Sequence, residues 1–234
     1  VFYEHLTKAG QDKFNTTGTA DPNGISLSTT AAAADADKFV TAAAIGVSAN
    51  AVMEATLTNN VGRQVLITAA GNSSTATLTI TGTDVNGKTI TEDLAGPNAT
   101  TGKSVLFYKT VTSIKAGATA PTGNISAGTA TGAAELVIGG SLATAGTATS
   151  TTARNVTITS GGNDSGATFT VTGTDIHGNA QTDTITGSNG GTATGVNFFK
   201  TITSIKSTAM PAGTIEAGIG ATIGGGPVEL AGSD

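Results

Sequence analysis

Gly82-Thr83-Asp84-Val85-Asn86-Gly87 recurs 91 residues later as Gly173-Thr174-Asp175-Ile176-His177-Gly178, and the sequence on both sides recurs with it. Upstream, RQVLIT (63–68) returns as RNVTIT (154–159), and ATLTITGTD (76–84) returns as ATFTVTGTD (167–175). Downstream, FYKTVTSIK (107–115) returns as FFKTITSIK (198–206); after a one-residue deletion, GNISAG (123–128) returns as GTIEAG (213–218). A period this long implies two globular modules, because solenoid coils repeat every ~20–50 residues. Within each copy the period is two: Leu78 and Ile80 alternate with threonines, as do Phe169 and Val171, which puts apolar side chains on one face of a strand and hydroxyls on the other.

The connectors are short and polar, so the strands pair as antiparallel meanders rather than through crossover helices. The expected fold is therefore all-β: two tandem duplicated antiparallel β-sandwich modules, Ig-like or open-barrel, with an N-terminal arm. The boundaries are 1–39 for the arm, 40–133 for the first module and 134–234 for the second. Asn86-Gly87 reads as a two-residue hairpin turn with both residues at positive φ, and His177-Gly178 as a weaker version of it. Val105 and Phe107 are expected to continue the core face of the following strand, as are Val196 and Phe198. Ile114 and Ile205 fall out of phase with Val111 and Ile202, which predicts a bulge or a strand break near Thr112-Ser113 and Thr203-Ser204. Leu136, Ile138 and Leu142 read as an opening strand pair turning at Gly139-Gly140. Pro227-Val228-Glu229-Leu230 echoes Ala133-Ala134-Glu135-Leu136.

The N-terminal 39 residues have no counterpart in the repeats. Phe2, Tyr3, Leu6 and Phe14 concentrate scarce aromatic and apolar side chains there, in a chain with only 4% aromatics, and read as anchors of an arm that docks on a neighbouring subunit. Asp21-Pro22-Asn23-Gly24 is a turn signal, and residues 31–44 read as a short helix or a low-complexity linker. The start of the chain shows no basic leader with an apolar core, so no signal peptide is expected. The most apolar window, residues 31–47, is broken by Asp35, Asp37 and Lys38, and no membrane partner is expected.

Charge and composition exclude further classes. A net charge of −5 and a pI near 4.9 offer no basic surface for counterion release, so no nucleic-acid partner is expected. With no Cys, there are no disulfides, thiolate metal sites or thiol nucleophiles. The Asp-x-Asn-Gly and Asp-x-His-Gly stretches open like calcium loops but lack the downstream bidentate Glu, and hairpin turns explain them. Gly102-Lys103-Ser104 lacks the first glycine of a phosphate loop. The two histidines, His5 and His177, have no Ser and carboxylate constellation. Glu92-Asp93 and Thr182-Asp183 resemble a glycosidase pair only superficially and read as a solvated strand edge. The duplicated Arg63/Arg154 invite salt bridges with Asp84/Asp175. No enzyme activity, cofactor or metal is expected.

The segments 153–175 and 198–205 resemble a repeat found in virion structural proteins of tailed bacteriophages, and residues 50–225 as a whole fit that resemblance. It implies a non-enzymatic particle component located in the virion and assembled in the host cytoplasm, with a capsid decoration or cement role first. A tail tube-associated or fibre subunit is the first alternative, and a carbohydrate-binding adhesin module the second. The implied partners are the major capsid protein or other virion proteins, with self-association. The candidate subunit contacts are Phe2, Tyr3, Leu6, Phe14, Asp84, Asn86, Asp175 and His177.

Overall fold

A computed structural model describes residues 19–30, 40–51 and 61–224, and Phe2, Tyr3, Leu6 and Phe14 lie outside them. Among the described residues there is no helix. The strands are β1 (Asp21–Thr30), β2 (Val40–Ala43), β3 (Val61–Ala69), β4 (Thr77–Thr83), β5 (Thr89–Ala95), β6 (Thr101–Lys103) and β7 (Thr110–Ala116). There follow β8 (Ile125–Leu136), β9 (Ala143–Thr144), β10 (Thr147–Asn163), β11 (Thr168–Thr174), β12 (Ala180–Thr186), β13 (Asn189–Ser207) and β14 (Thr214–Ile223). All pairings are antiparallel, as the alternating threonine pattern requires.

Each half is a two-layer sandwich around its own core. In the first half the sheet β5-β4-β7 faces β3 and β8 across Val65, Ile67, Leu78, Ile80, Tyr108, Ile114 and Ile125. In the second half β11 and β12 face β10 and β14 across Val156, Ile158, Phe169, Val171, Phe199, Ile205 and Ile215. Registers recur at the same spacing: Thr77 pairs with Ala95 and Thr168 with Thr186, while Leu66 pairs with Gly128 and Thr157 with Gly218. The bulges fall where the phase break put them, since Thr81 and Gly82 oppose Ser113 and Val111, and Thr172 and Gly173 oppose Ser204 and Ile202.

Four residues of each recurring stretch have a local task. Gly82 and Gly173 stand where the bulge brings the carbonyls of Thr110 and Thr201 so close that a Cβ would collide with them. Thr83 and Thr174 bond hydroxyl to hydroxyl with Thr110 and Thr201, at 2.6 and 2.7 Å. The Asp84 carboxylate accepts the amides of Asn86 and Lys88, both at 2.9 Å, and Asp175 accepts those of His177 and Asn179 at 2.8 and 2.9 Å. The turn type differs from the expected one. Gly87 and Gly178 have φ of 81° and 85°, whereas Asn86 and His177 are absent from the positive-φ residues, so the hairpin is a type I turn closed by a glycine bulge. Only the glycine needs the left-handed region, which is why histidine can replace asparagine.

Four other expectations are corrected. Val105 and Val196 are 76% and 78% exposed, and the core positions are Tyr108 and Phe199, both at 0%. The phase shifts because the backbone before each aromatic is pulled outward onto a carboxylate. Glu92 accepts the amides of Val105 and Leu106 at 2.7 and 2.9 Å, and Asp183 those of Val196 and Asn197 at 2.8 and 3.0 Å. These acids are backbone clamps rather than a solvated edge, and Asp183 is buried. The arginines reach main-chain carbonyls: Arg63 donates to Ala130 at 2.6 Å, and Arg154 to Gly220 and Thr19. Gly139-Gly140 makes no hairpin; both amides donate to the Ile25 carbonyl, and the hairpin turn is Ala145-Gly146 between β9 and β10.

Part of the segment expected as an arm that docks on a neighbouring subunit, Asp21–Thr30, pairs within the chain as β1, and β2 at the start of the expected first module pairs likewise. β1 pairs with β14 of the second half through Ser26 to Ala217 and Thr29 to Ile215, and it places Ile25 in the second core. β2 pairs with β8 of the first half at the matching place, Val40 to Ala127 and Ala43 to Ile125. The predicted turn at 21–24 is thus strand, with register irregularities between Asp21 and Ser26, and residues 40–43 are strand rather than helix. The remainder of the expected helix, residues 31–39, lies outside the described residues.

Candidate interaction surface

The two halves meet through one strand with two partners. Within β8, Arg63, Gly62 and Val61 pair with Ala134, Glu135 and Leu136, while Lys206 and Ser207 of β13 pair with Glu135 and Ala134 on the other edge. Ala134 and Glu135 thus pair on both edges, which makes β3 and β6 of the first half and the strands of the second parts of one 11-stranded sheet, while β5-β4-β7 stays a separate sheet.

The hairpin tip of the first half lies at this junction. Val85, Phe107 and Glu135 close around Gly62, and a Cβ added there would touch all three. Val85 is 4% exposed. Asn86 stays exposed, yet it lies against Gly146 of the second half so closely that no side chain fits at that glycine. Lys206 sits 5.2 Å from the centre of the Phe107 ring. The Ser204 hydroxyl donates to Glu135 Oε1 at 2.7 Å. Burial pushes the Glu135 carboxyl above its usual range, opposed by the Ser204 bond and the Lys206 charge and reinforced by Asp84. Asn86 is therefore a contact residue within the chain, between its own halves, whereas the Asp84 carboxylate bonds to its own turn and acts on Glu135 only through its charge.

The matching tip of the second half is covered by none of the described residues. Asp175, Ile176, His177, Gln181, Asn197 and Phe198 line a shallow cleft of about 260 Å³, which Ala153 and Gly224 complete. Ile176 is 42% exposed, against 4% for Val85 at the same place in the first half. The Asp175 carboxyl is held below its usual range, first by the Asn179 side chain at 3.0 Å and then by the turn amides and His177. It is an anion at neutral pH beside apolar surface. Sequence singled out Asp175 and His177 but not Ile176 and Phe198, whose meaning depends on the covered counterparts across the chain.

The oxygens of Asp175 bond to its own turn, and among the described residues lining the cleft Asp175 and His177 are the ionisable groups. Among the described residues no group of three or more His, Cys, Asp or Glu is placed to hold a metal ion, and no helix is long and apolar enough to cross a membrane. The cleft combines the apolar side chains of Ile176 and Phe198, the Asp175 anion and the end of β14. No protein-family model, no curated protein and no solved structure matches this chain.

Proposed function

We propose that this chain is a non-enzymatic structural component of a bacteriophage particle, a decoration or cement protein that stabilises a capsid shell by bridging its subunits. The observation that carries the reading is the unequal pair Val85 and Ile176, one buried beside Gly62 and the other 42% exposed among the described residues. A module end with exposed apolar surface beside an anion suits a protein that works by contact. The resemblance of 153–175 and 198–205 to phage structural repeats supplies the setting, and the major capsid protein or other virion proteins the partners.

The clamping acids and buried arginines support the same reading, because the duplicated charges near the tips hold backbone in place. The test is the copy number of the chain in purified particles, by quantitative mass spectrometry. A number of the same order as the major capsid protein supports the shell role. A number matching a tail ring or tip moves the protein to the tail, and absence from the particle overturns the virion reading altogether.

A further inference from the structure

The junction between the halves has two counterparts, one in each half, that no described residue covers. At one end is the cleft of Ile176, Phe198 and Asp175. At the other is the start of the first half, where Asn50 bridges to Lys115 as Glu135 pairs with Lys206 in the second. The Ala51 amide donates to Ile114 and the Ala116 amide to Ala49, so this short edge is fixed on β7 from its inner side. Asn50 itself is exposed, Val47 beside it is 59% exposed, and the Lys115 side chain projects into solvent. One end thus presents a cation, an apolar side chain and a strand edge, and the other an anion, an apolar floor and the end of β10 and β14.

We propose that copies of this chain associate end to end, the Val47, Asn50 and Lys115 end of one copy seated in the Ile176 and Phe198 cleft of the next. The occupant is a second copy because the chain already shows how such a tip is covered, by the opening edge of a following module. Lys206 over Phe107 is the internal precedent for bringing Lys115 toward Phe198 and Asp175. Within the chain a single strand serves both sides of the junction. Between copies the Asn50 edge and the Ile223-Gly224 edge lie side by side, since Gly224 already donates to Ala153. The contact joins two different surfaces, so it leaves one of each free and builds chains or rings rather than closed pairs. The inference needs only the two ends as described and stands whether or not the protein belongs to a particle.

Sedimentation velocity over a concentration series tests it, with the full chain, Ile176→Lys and Lys115→Glu. Both substituted residues are exposed, and circular dichroism melting checks that each variant is folded. The wild type is expected to form concentration-dependent oligomers, with each variant weakened about tenfold or more. Mixing the two variants is expected to restore association, but only to a one-to-one pair, because one retains the intact cleft and the other the intact strand end. Leu27→Lys, at an exposed position on β1 away from both ends, is expected to leave assembly unchanged. A wild type that stays monomeric at high micromolar concentration overturns the proposal and points to the residues after Gly224 as the cover of the cleft. Variants that still self-associate, or a mixture that does not pair, overturn it equally.

Discussion

The Lys206 ammonium stands 5.2 Å from the centre of the Phe107 ring, a charge of the second half held over a ring of the first. Lys206 is exposed, so the contact is expected to contribute about 0.5–1 kcal/mol. Urea denaturation of Lys206→Ala should show a loss of that size, and Lys206→Arg should retain most of the stability. A Lys206→Ala variant with unchanged stability would remove the cation from the account of this junction.

The clamping acids should differ in weight. Asp183 is buried and accepts the amides of Thr184, Val196 and Asn197. Glu92 accepts two amides in exposed surroundings. Asp183→Ala is expected to cost about 3 kcal/mol and Glu92→Ala about 1 kcal/mol, because a charged acceptor lost in a buried site leaves amides without partners. Equal losses for the two in chemical denaturation would contradict this ranking.

Gly82→Ala and Gly173→Ala should each destabilise by roughly 1–3 kcal/mol, since the added methyl meets a carbonyl that belongs to a paired strand. His177→Asn should fall within about 0.5 kcal/mol of the wild type, because that position in the type I turn has no positive φ. Thermal melts of the three variants separate the two tasks of the recurring stretch.

Glu135 supplies a pH signature. Its folded pKa is raised, chiefly by burial, so the folded chain binds a proton more readily than the unfolded one. The sign follows: the stabilisation from protonation is present below the ordinary carboxylate value and is lost as pH rises through it toward the higher folded value. Glu135→Gln should therefore be more stable than the wild type at neutral pH and lose that advantage in acid. Asp175, held below its usual range, has the opposite sense, and its stabilising contribution disappears only as pH falls below that range. Melting temperature against pH for Glu135→Gln and Asp175→Asn checks both directions.

Deleting residues 1–30 removes Ile25 from the second core and uncovers β14, with an expected loss of at least the ~1.5–3 kcal/mol of one buried isoleucine. Deleting residues 1–18 leaves every described strand in place. A cooperative melt near the wild-type temperature for the shorter deletion, with a clear drop for the longer, is the expected pattern.

The recurring hairpin, the alternation of its strands and the bulges at Thr112 and Thr203 were legible in the sequence because each is a local matter of period two and its interruption. The aromatic phase was not, since Tyr108 replaces Phe107 in the core only once Glu92, on another strand, has drawn the backbone outward. The partnership of β1 was also hidden. Nothing near Ile25 distinguishes a strand that pairs with a distant one from a frayed segment, and its Pro22, Asn23 and Gly24 argue locally for a turn. At the candidate surface, sequence found Asp175 and His177 through their turn, whereas the exposure of Ile176 had meaning only beside the burial of Val85.

The pairing of Asp21 with Ile219 and of Ser26 with Ala217 also orders events on the ribosome. β1 emerges before every other described strand, yet its partner β14 is the last of them to be made, so β1 waits through nearly all of synthesis with its edge unsatisfied. Such a waiting edge invites association with other nascent chains. Its irregular register and its Pro-Asn-Gly interruption make it a poor template for foreign strands, which lets it stay unpaired until β14 arrives.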